Sequence, residues 1–64
     1  MANKRQIPKT QESITEVIYA LAKITDDLVK AYNGNGAAAQ RARVATVKIF
    51  PVLKKFREVS IKEM

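Results

Sequence analysis

Asn33-Gly34-Asn35-Gly36, near the middle of the 64-residue chain, is the stretch that decides the fold. Glycine and asparagine tolerate positive φ angles, so this stretch favours a helix C-cap followed by a tight reversal. Periodic apolar residues stand on both sides of it, and a turn this short places consecutive helices antiparallel. The sequence therefore predicts an all-α protein, an antiparallel helical hairpin with its turn at residues 33–36.

The segment before the turn has the apolar periodicity of an amphipathic helix. Its apolar residues recur in alternating steps of three and four, as in a coiled-coil heptad. They are Ile14, Val17, Leu21, Ile24, Leu28 and Ala31, with Ile18, Val29 and Tyr32 beside them. Pro8 fits a first helical turn and Thr10 is a candidate N-cap. Ser13 and Glu16 have capping-box spacing. We place helix 1 at about residues 10–32.

The segment after the turn has a second apolar seam, and we place helix 2 at about residues 37–62. The seam residues are Ala38, Ala42, Ala45, Ile49, Val52, Phe56 and Val59. Its alanines allow a close approach of the two helices near the turn. Pro51 removes one backbone hydrogen bond, at a cost of roughly 3 kcal/mol inside a helix. Because the heptad spacing continues through Pro51, a kink near this residue is favoured over a break.

A hairpin of this size has little to bury. Chains this short bury only about 60% of the surface that the unfolded chain exposes. The absence of cysteine and histidine excludes disulfides and the usual zinc sites, so oligomerisation is the remaining means of stabilisation. Apolar residues off the second seam suggest another buried surface, hence a homodimer forming a four-helix bundle. They are Val44, Val47, Phe50 and Ile61. The alternative is that they are scattered surface residues, which are common.

The net charge of +6 is unevenly distributed along the chain. Residues 1–34 hold five basic and four acidic side chains, whereas residues 35–64 hold seven basic and two acidic ones. The excess of positive charge in the second half therefore indicates a polyanionic partner. The polar N-terminus does not fit a secretory signal, and no apolar run approaches the roughly 18 residues of a membrane span. We expect a soluble cytoplasmic protein that does not bind membrane.

Catalytic residues are hard to find. Asp26-Asp27 is the only adjacent pair of carboxylates, and neighbours on a helix point about 100° apart, so a solvated polar face is the better interpretation. The serines and threonines lack an obvious base to activate them. Gly34-Asn35-Gly36 lacks the longer fingerprint of a phosphate-binding loop. The sequence predicts no enzyme, no cofactor, no metal and no small-molecule substrate.

The basic residues form a more informative pattern. A row spaced by seven residues follows one flank of helix 2, and three further cations lie on the other flank. The row is Arg41, Lys48, Lys55 and Lys62; the other flank holds Arg43, Lys54 and Arg57. Helix 2 places no acidic residue within this row. The row can therefore follow a phosphate backbone and release the counterions bound to it. Equally, lysine at a coiled-coil flank can serve solubility alone.

The N-terminal residues 1–9 carry Lys4, Arg5 and Lys9. They can form a flexible basic arm that clamps a groove or contacts phosphates. The alternative is a disordered start that only keeps the protein soluble.

The second half resembles the bacterial histone H1-like family, which includes the chlamydial nucleoid-condensing histone H1 homologues. Residues 34–43 contain Gly-Asn, Ala-Ala and Arg-x-Arg in the family's order, and residues 55–62 contain Phe-Arg-x-x-Ser-Ile. The resemblance implies binding to the DNA phosphate backbone, DNA compaction and a nucleoid location. By position, Arg41, Arg43 and Arg57 match the family's basic residues most closely, followed by Lys48 and Lys62.

Three departures from the family pattern stand out. Gly36 replaces a lysine, and Phe50-Pro51 stands where the family has polar, helix-favouring residues. The lysine-rich tail of the chlamydial members is missing, so strong condensation would need oligomers.

The main hypothesis is a nucleoid-associated DNA-binding protein without strong sequence specificity. The alternative is a helical oligomeric protein-interaction module whose charges serve solubility only. A third interpretation, an amphipathic helix on anionic membrane, fits poorly because Pro51 and the alanines suit helix packing. Tyr19 and Tyr32 could stack on bases, but we interpret them as packing residues.

Overall fold

Two helices joined by a short turn account for nearly all of residues 6–64, the part of the chain that the computed structural model describes. Helix α1 spans Pro8–Tyr32 and helix α2 spans Gly36–Glu63. They pack against each other over a body of 46 × 24 × 11 Å, which is one helix thick. The predicted all-α helical hairpin is confirmed. The predicted contacts of Lys4 and Arg5 lie outside the described residues.

The glycine–asparagine stretch ends one helix and begins the next. Gly34 has φ +96°, a left-handed conformation that glycine adopts without strain. Its N–H donates to the carbonyl of Ala31 at 2.9 Å, and the Asn35 N–H donates to that of Lys30 at 3.0 Å, which is the Schellman pattern. The Asn35 side chain then accepts from the Ala38 N–H at 3.0 Å and caps α2. The predicted turn is therefore built from residues 33–35.

The start of α1 differs from the prediction. The helix begins at Pro8, with Ile7 at the N-cap position and no side-chain cap from its own end. Thr10 and Ser13 are already inside the helix, and the Ser13 hydroxyl donates back to the Thr10 carbonyl at 2.8 Å. The predicted N-cap and capping box are therefore wrong.

Glu63, at the end of α2, takes the place of that missing cap. Its carboxylate accepts from the backbone N–H of Thr10 at 2.7 Å and from that of Lys9 at 3.3 Å. A carboxylate is also favourable beside the positive end of the α1 dipole. The last turn of one helix thus closes the open first turn of the other.

The same contact lowers the pKa of Glu63. Desolvation between the packed helix ends acts to raise this pKa, but hydrogen bonding to Thr10 and Lys9 and the Lys9 charge together bring it below the ordinary 4.5. The Thr10 hydroxyl is buried and has no hydrogen-bond partner within residues 6–64. We therefore assign the effect chiefly to the two backbone N–H groups.

Helix α2 buries the seam that its sequence predicts. Ala38, Ala42 and Ile49 are buried, and the remaining seam residues are half-buried. The helix is continuous through Pro51, as the unbroken heptad spacing indicated. Pro51 is exposed, and so is Val47, whose carbonyl loses its helical partner. Water can therefore satisfy that carbonyl.

Helix α1 is rotated relative to its predicted seam. Val17, Ile24 and Ala31 face α2 as predicted, but the other half of the seam is 36–51% exposed, at Ile14, Leu21 and Leu28. The row one residue earlier is covered instead: Ser13 is buried, and Ala20 and Asp27 are half-buried. Ser13 and Ala20 in this row have small side chains, so α2 can approach closely there.

The resulting core is small. Within residues 6–64 the buried apolar side chains are those of Ile24, Ala38, Ala42 and Ile49. Neither helix is both long enough and apolar enough to cross a membrane over the described part of the chain.

Candidate nucleic-acid interface

Two ion pairs join the helices along one face of the hairpin. Arg41 Nε lies 3.1 Å from Asp27 Oδ1, and Lys55 Nζ lies 3.5 Å from Glu16 Oε1. Both cations belong to the seven-residue row of α2, and both acids lie on the adjoining flank of α1. We call this surface the ion-pair face.

These pairs correct the interpretation of the row as free of acids. Helix 2 contributes no acid to it, but antiparallel packing places the acidic flank of α1 alongside. Two of its four cations, Arg41 and Lys55, are therefore partly neutralised. Both side chains remain about half exposed, and ion pairs of this kind are weak, about 0.2–1 kcal/mol. They reduce the positive potential of the row without removing it.

Five other cations of α2 have no carboxylate partner within residues 6–64, and all are exposed. We call them the open cations: Arg43, Lys48, Lys54, Arg57 and Lys62. Arg43 donates from Nη2 to the neutral side-chain oxygen of Gln40 at 3.0 Å, which leaves its charge uncompensated. By helical periodicity, Lys48 and Lys62 lie on the ion-pair face. Lys54 lies at the solvent edge of α2, and Arg43 and Arg57 lie beyond it.

The two helices carry opposite net charges. Helix α1 has three lysines and four acids, for −1, whereas α2 has seven cations and two acids, for +5. Of the two acids on α2, Glu63 is engaged at the α1 N-terminus, so Glu58 alone stands among the open cations. The positive potential of the described residues is therefore concentrated on the exposed side of α2.

A shallow groove of about 500 Å³ runs between the helices on the ion-pair face. Tyr19 and Val44 line it together with Arg41 and Lys48. Lys23 Nζ stands 5.5 Å from the centre of the Tyr19 ring, a cation–π distance. Tyr19 is 66% exposed and Tyr32 90% exposed, so the interpretation of both as packing residues is wrong.

Comparison with known families decides the relationship of the chain. The model of the family described as histone H1-like protein Hc1 matches residues 11–64. The chain belongs to the Hc1 family. The match includes most of α1, whereas the sequence motifs that resemble the family lie in the second half of the chain. No curated protein and no solved structure matches this Hc1-family chain significantly.

Sequence reasoning about this Hc1-family chain missed the acids that face the cation row. The signal was available, because every charged residue of α1 falls on one side of the helix at helical spacing. These residues are Lys9, Glu12, Glu16, Lys23, Asp26, Asp27 and Lys30. The pattern alone does not show how the charged side of α1 is oriented relative to α2.

Proposed function

We propose that this Hc1-family protein binds the phosphate backbone of DNA through the exposed side of α2, without strong sequence specificity. As a nucleoid-associated protein it would help to compact DNA. Membership of a histone H1-like family supports DNA binding in general. The open cations support α2 as the binding surface.

The spacing of these cations suits an elongated polyanion. Lys48 and Lys62 are separated by four helical turns, about 21 Å along the axis. Lys54 lies between them at the edge of α2, so successive cations can contact successive phosphates. Contacts of this kind hold a protein on the duplex but carry no sequence information. Lys4 and Arg5 would add two charges at the N-terminus of α1.

A salt titration of duplex binding tests the proposal. The logarithm of the binding constant should fall linearly with the logarithm of salt concentration, with a slope of about −0.9 per neutralised phosphate. Five contacts predict a slope of about −4.5 per protomer. Binding that is absent at low salt, or insensitive to salt, would contradict it. Duplexes of unrelated sequence should bind with similar affinity.

A matched pair of variants locates the surface. Lys48→Gln with Lys54→Gln removes two open cations and should reduce the magnitude of the slope by about 1.8. Lys23→Gln with Lys30→Gln removes the same charge from α1, where one lysine stacks on Tyr19 and the other pairs with Asp26 at 3.1 Å. The α1 variant should keep the original slope. Equal losses would mean that overall charge, not α2, governs binding.

The alternative function, a protein-interaction module with charges for solubility alone, makes the opposite prediction. Replacing Arg41, Arg43, Lys48 and Lys55 together by glutamine would then leave function intact. The same titration therefore separates the two functions.

A further inference from the structure

The groove on the ion-pair face combines an apolar floor with an exposed aromatic ring. Ile24 is buried and Ala20 and Ala45 are half-buried, so these three side chains form the floor of a recess of about 500 Å³. Tyr19 and Val44 also line it but are exposed, which places them at its rim. Its volume falls within the range of about 300–1,000 Å³ that ligand pockets have in proteins. The groove can therefore take up a flat apolar group.

The register of the hairpin places a cation at each end of the groove. The two ion pairs that join the helices fix which residues of α1 and α2 lie level with each other. In this register Tyr19 comes close to the level of Lys48 at one end, and Asp27 lies beside Arg41 at the other. Arg41 and Lys48 are seven residues apart, about 10 Å along the axis of α2.

Both end cations keep hydrogen-bond donors for an anion. Lys48 is exposed and has no carboxylate partner within residues 6–64. Arg41 donates to Asp27 from Nε, and the terminal nitrogens of its guanidinium carry four further N–H donors. Among the described residues that line the groove, Asp27 is the only acid, and its charge is compensated by Arg41. By charge, the groove is complementary to an anion.

The Tyr19 ring gives the groove a preference for a planar aromatic group. Lys23 Nζ stands over the ring, 5.5 Å from its centre, so the opposite face is the one that another ring can cover. Offset stacking of two aromatic rings adds stabilisation beyond the burial of apolar area. A nucleobase is a planar aromatic group, and in a nucleic acid a phosphate follows it on each side. This combination matches one ring between two cations.

We propose that the groove holds one unpaired base of DNA, stacked on Tyr19, with the phosphates on either side of that base bound by Lys48 and Arg41. Every base has a π-face, so stacking of this kind tolerates any base. A paired base reaches such a ring only by leaving the duplex stack. The protein would therefore prefer DNA that contains an unpaired base. The proposal rests on the proposed function, because both take DNA as the partner and share Lys48.

Three duplexes of the same sequence isolate the contribution of the base. One is fully paired, and one carries a single bulged adenine. The third carries an abasic bulge, which keeps the extra phosphate and the flexible backbone but has no base. The bulged duplex should bind at least about five times more tightly than the abasic one, the lower end of the effect of one stacked base. Equal affinity for these two would overturn the proposal and leave an anion alone as the occupant of the groove.

Variants of the two exposed tyrosines assign the preference to the groove. Tyr19→Leu removes the ring and should abolish the difference in affinity between the bulged and the abasic duplex. Tyr19→Phe keeps the ring and should retain that difference. Tyr32→Leu is the matched control, because Tyr32 is exposed and does not line the groove. A Tyr19→Leu variant that still prefers the bulged duplex would overturn the proposal.

Tyrosine fluorescence reports stacking in a chain whose groove is unaltered. The chain has two tyrosines and no tryptophan, so Tyr32→Leu leaves Tyr19 as the only emitter. Because a stacked base quenches the ring, Tyr19 should lose more emission with the bulged duplex than with the abasic one. In Tyr19→Leu, the emission of Tyr32 should respond equally to the two duplexes. An equal response of Tyr19 to both would overturn the proposal.

The fully paired duplex separates failure of this proposal from failure of the proposed function. If it binds with the predicted salt slope and the bulged base adds no affinity, binding through the open cations stands and the groove proposal fails. If only the bulged duplex binds, the groove proposal stands and binding of paired DNA through the open cations fails. Absence of binding to all three duplexes would overturn both.

Discussion

The two helices of this hairpin are similar in length but differ in how they arrange charge. Helix α1 keeps its charged residues on one side and its exposed large aliphatic residues on the other, with a net charge of −1. Helix α2 buries a continuous seam and carries cations around its exposed side, with a net charge of +5. Length and apolar content alone would not distinguish them.

The difference teaches that a basic chain is not uniformly basic once folded. The acids of α1 lie against one flank of α2 and partly neutralise Arg41 and Lys55. The open cations have no carboxylate partner within residues 6–64, because the acids of α1 do not reach them. The distribution of acids on α1 therefore decides which cations of α2 are available to a polyanion.

The largest expected effect comes from the seam of α2. Ile49→Ala removes one of the few buried apolar side chains and should cost about 2–5 kcal/mol of unfolding free energy, enough to unfold much of the protein. Val47→Ala, on the exposed side of the same helix, should change stability by less than about 0.5 kcal/mol. Urea denaturation followed by circular dichroism measures both. Equal effects would mean that α2 does not bury the seam described above.

Close approach of the helices predicts the next effect. Ala42 is buried against α1, so Ala42→Leu should overpack the interface and destabilise by about 1–3 kcal/mol. Ala37→Leu changes an exposed alanine of the first turn of α2 and should be tolerated. Thermal melts of the two variants give the comparison. A neutral Ala42→Leu would show that the helices lie further apart than the structure places them.

The two glycines of the turn should respond differently. Gly34→Ala forces a left-handed conformation on a side chain and should cost about 1–2 kcal/mol. Gly36 begins α2, and apart from its chain neighbours and the adjacent helix backbone no atom lies within 4 Å of where a Cβ would stand. Gly36→Ala should therefore be neutral or stabilise by less than about 1 kcal/mol. Thermal denaturation measures both changes. A loss at Gly36 as large as at Gly34 would contradict the turn geometry.

The influence of α1 on the cations of α2 can be tested by removing one acid. Asp27→Asn frees Arg41 and should make the salt slope of DNA binding steeper by about 0.9, at a stability cost below about 1 kcal/mol. Asp26→Asn is the control, because Asp26 pairs with Lys30 on its own helix. Anisotropy titrations against salt measure the slope. If both variants make the salt slope equally steeper, the net charge of the chain alone governs the salt dependence of DNA binding.

The smallest effect concerns the contact between the helix ends. Because folding lowers the pKa of Glu63, its carboxylate contributes stability above the ordinary value of 4.5, and this contribution is lost as pH falls through the lower folded pKa. Glu63→Gln should therefore lower the melting temperature at pH 7. The difference in melting temperature between this variant and the natural chain should become smaller towards pH 3. Glu58→Gln, which changes a carboxylate without an ion pair within residues 6–64, is the control. A difference in melting temperature that grows on acidification would contradict the contact between the Glu63 carboxylate and the first turn of α1.

The sequence by itself determined the hairpin and the helix that carries the cations. Asn33-Gly34-Asn35 encodes the turn locally, since a left-handed glycine and a side-chain cap need only neighbouring residues. The seam of α2 was also readable, because its alanines and large apolar residues keep a single heptad register. The positions of the seven cations of α2 followed from helical periodicity alone.

Only the tertiary structure decided which way α1 turns. Its large apolar residues suggested a seam through Leu21, but the row of small side chains at Ser13 and Ala20 is covered instead and Leu21 is left exposed. The same rotation brings Asp27 and Glu16 against the cation row and places Glu63 at the start of α1. Periodicity specifies the residues that share a side of a helix, but the shape of the opposing helix selects the side that is buried.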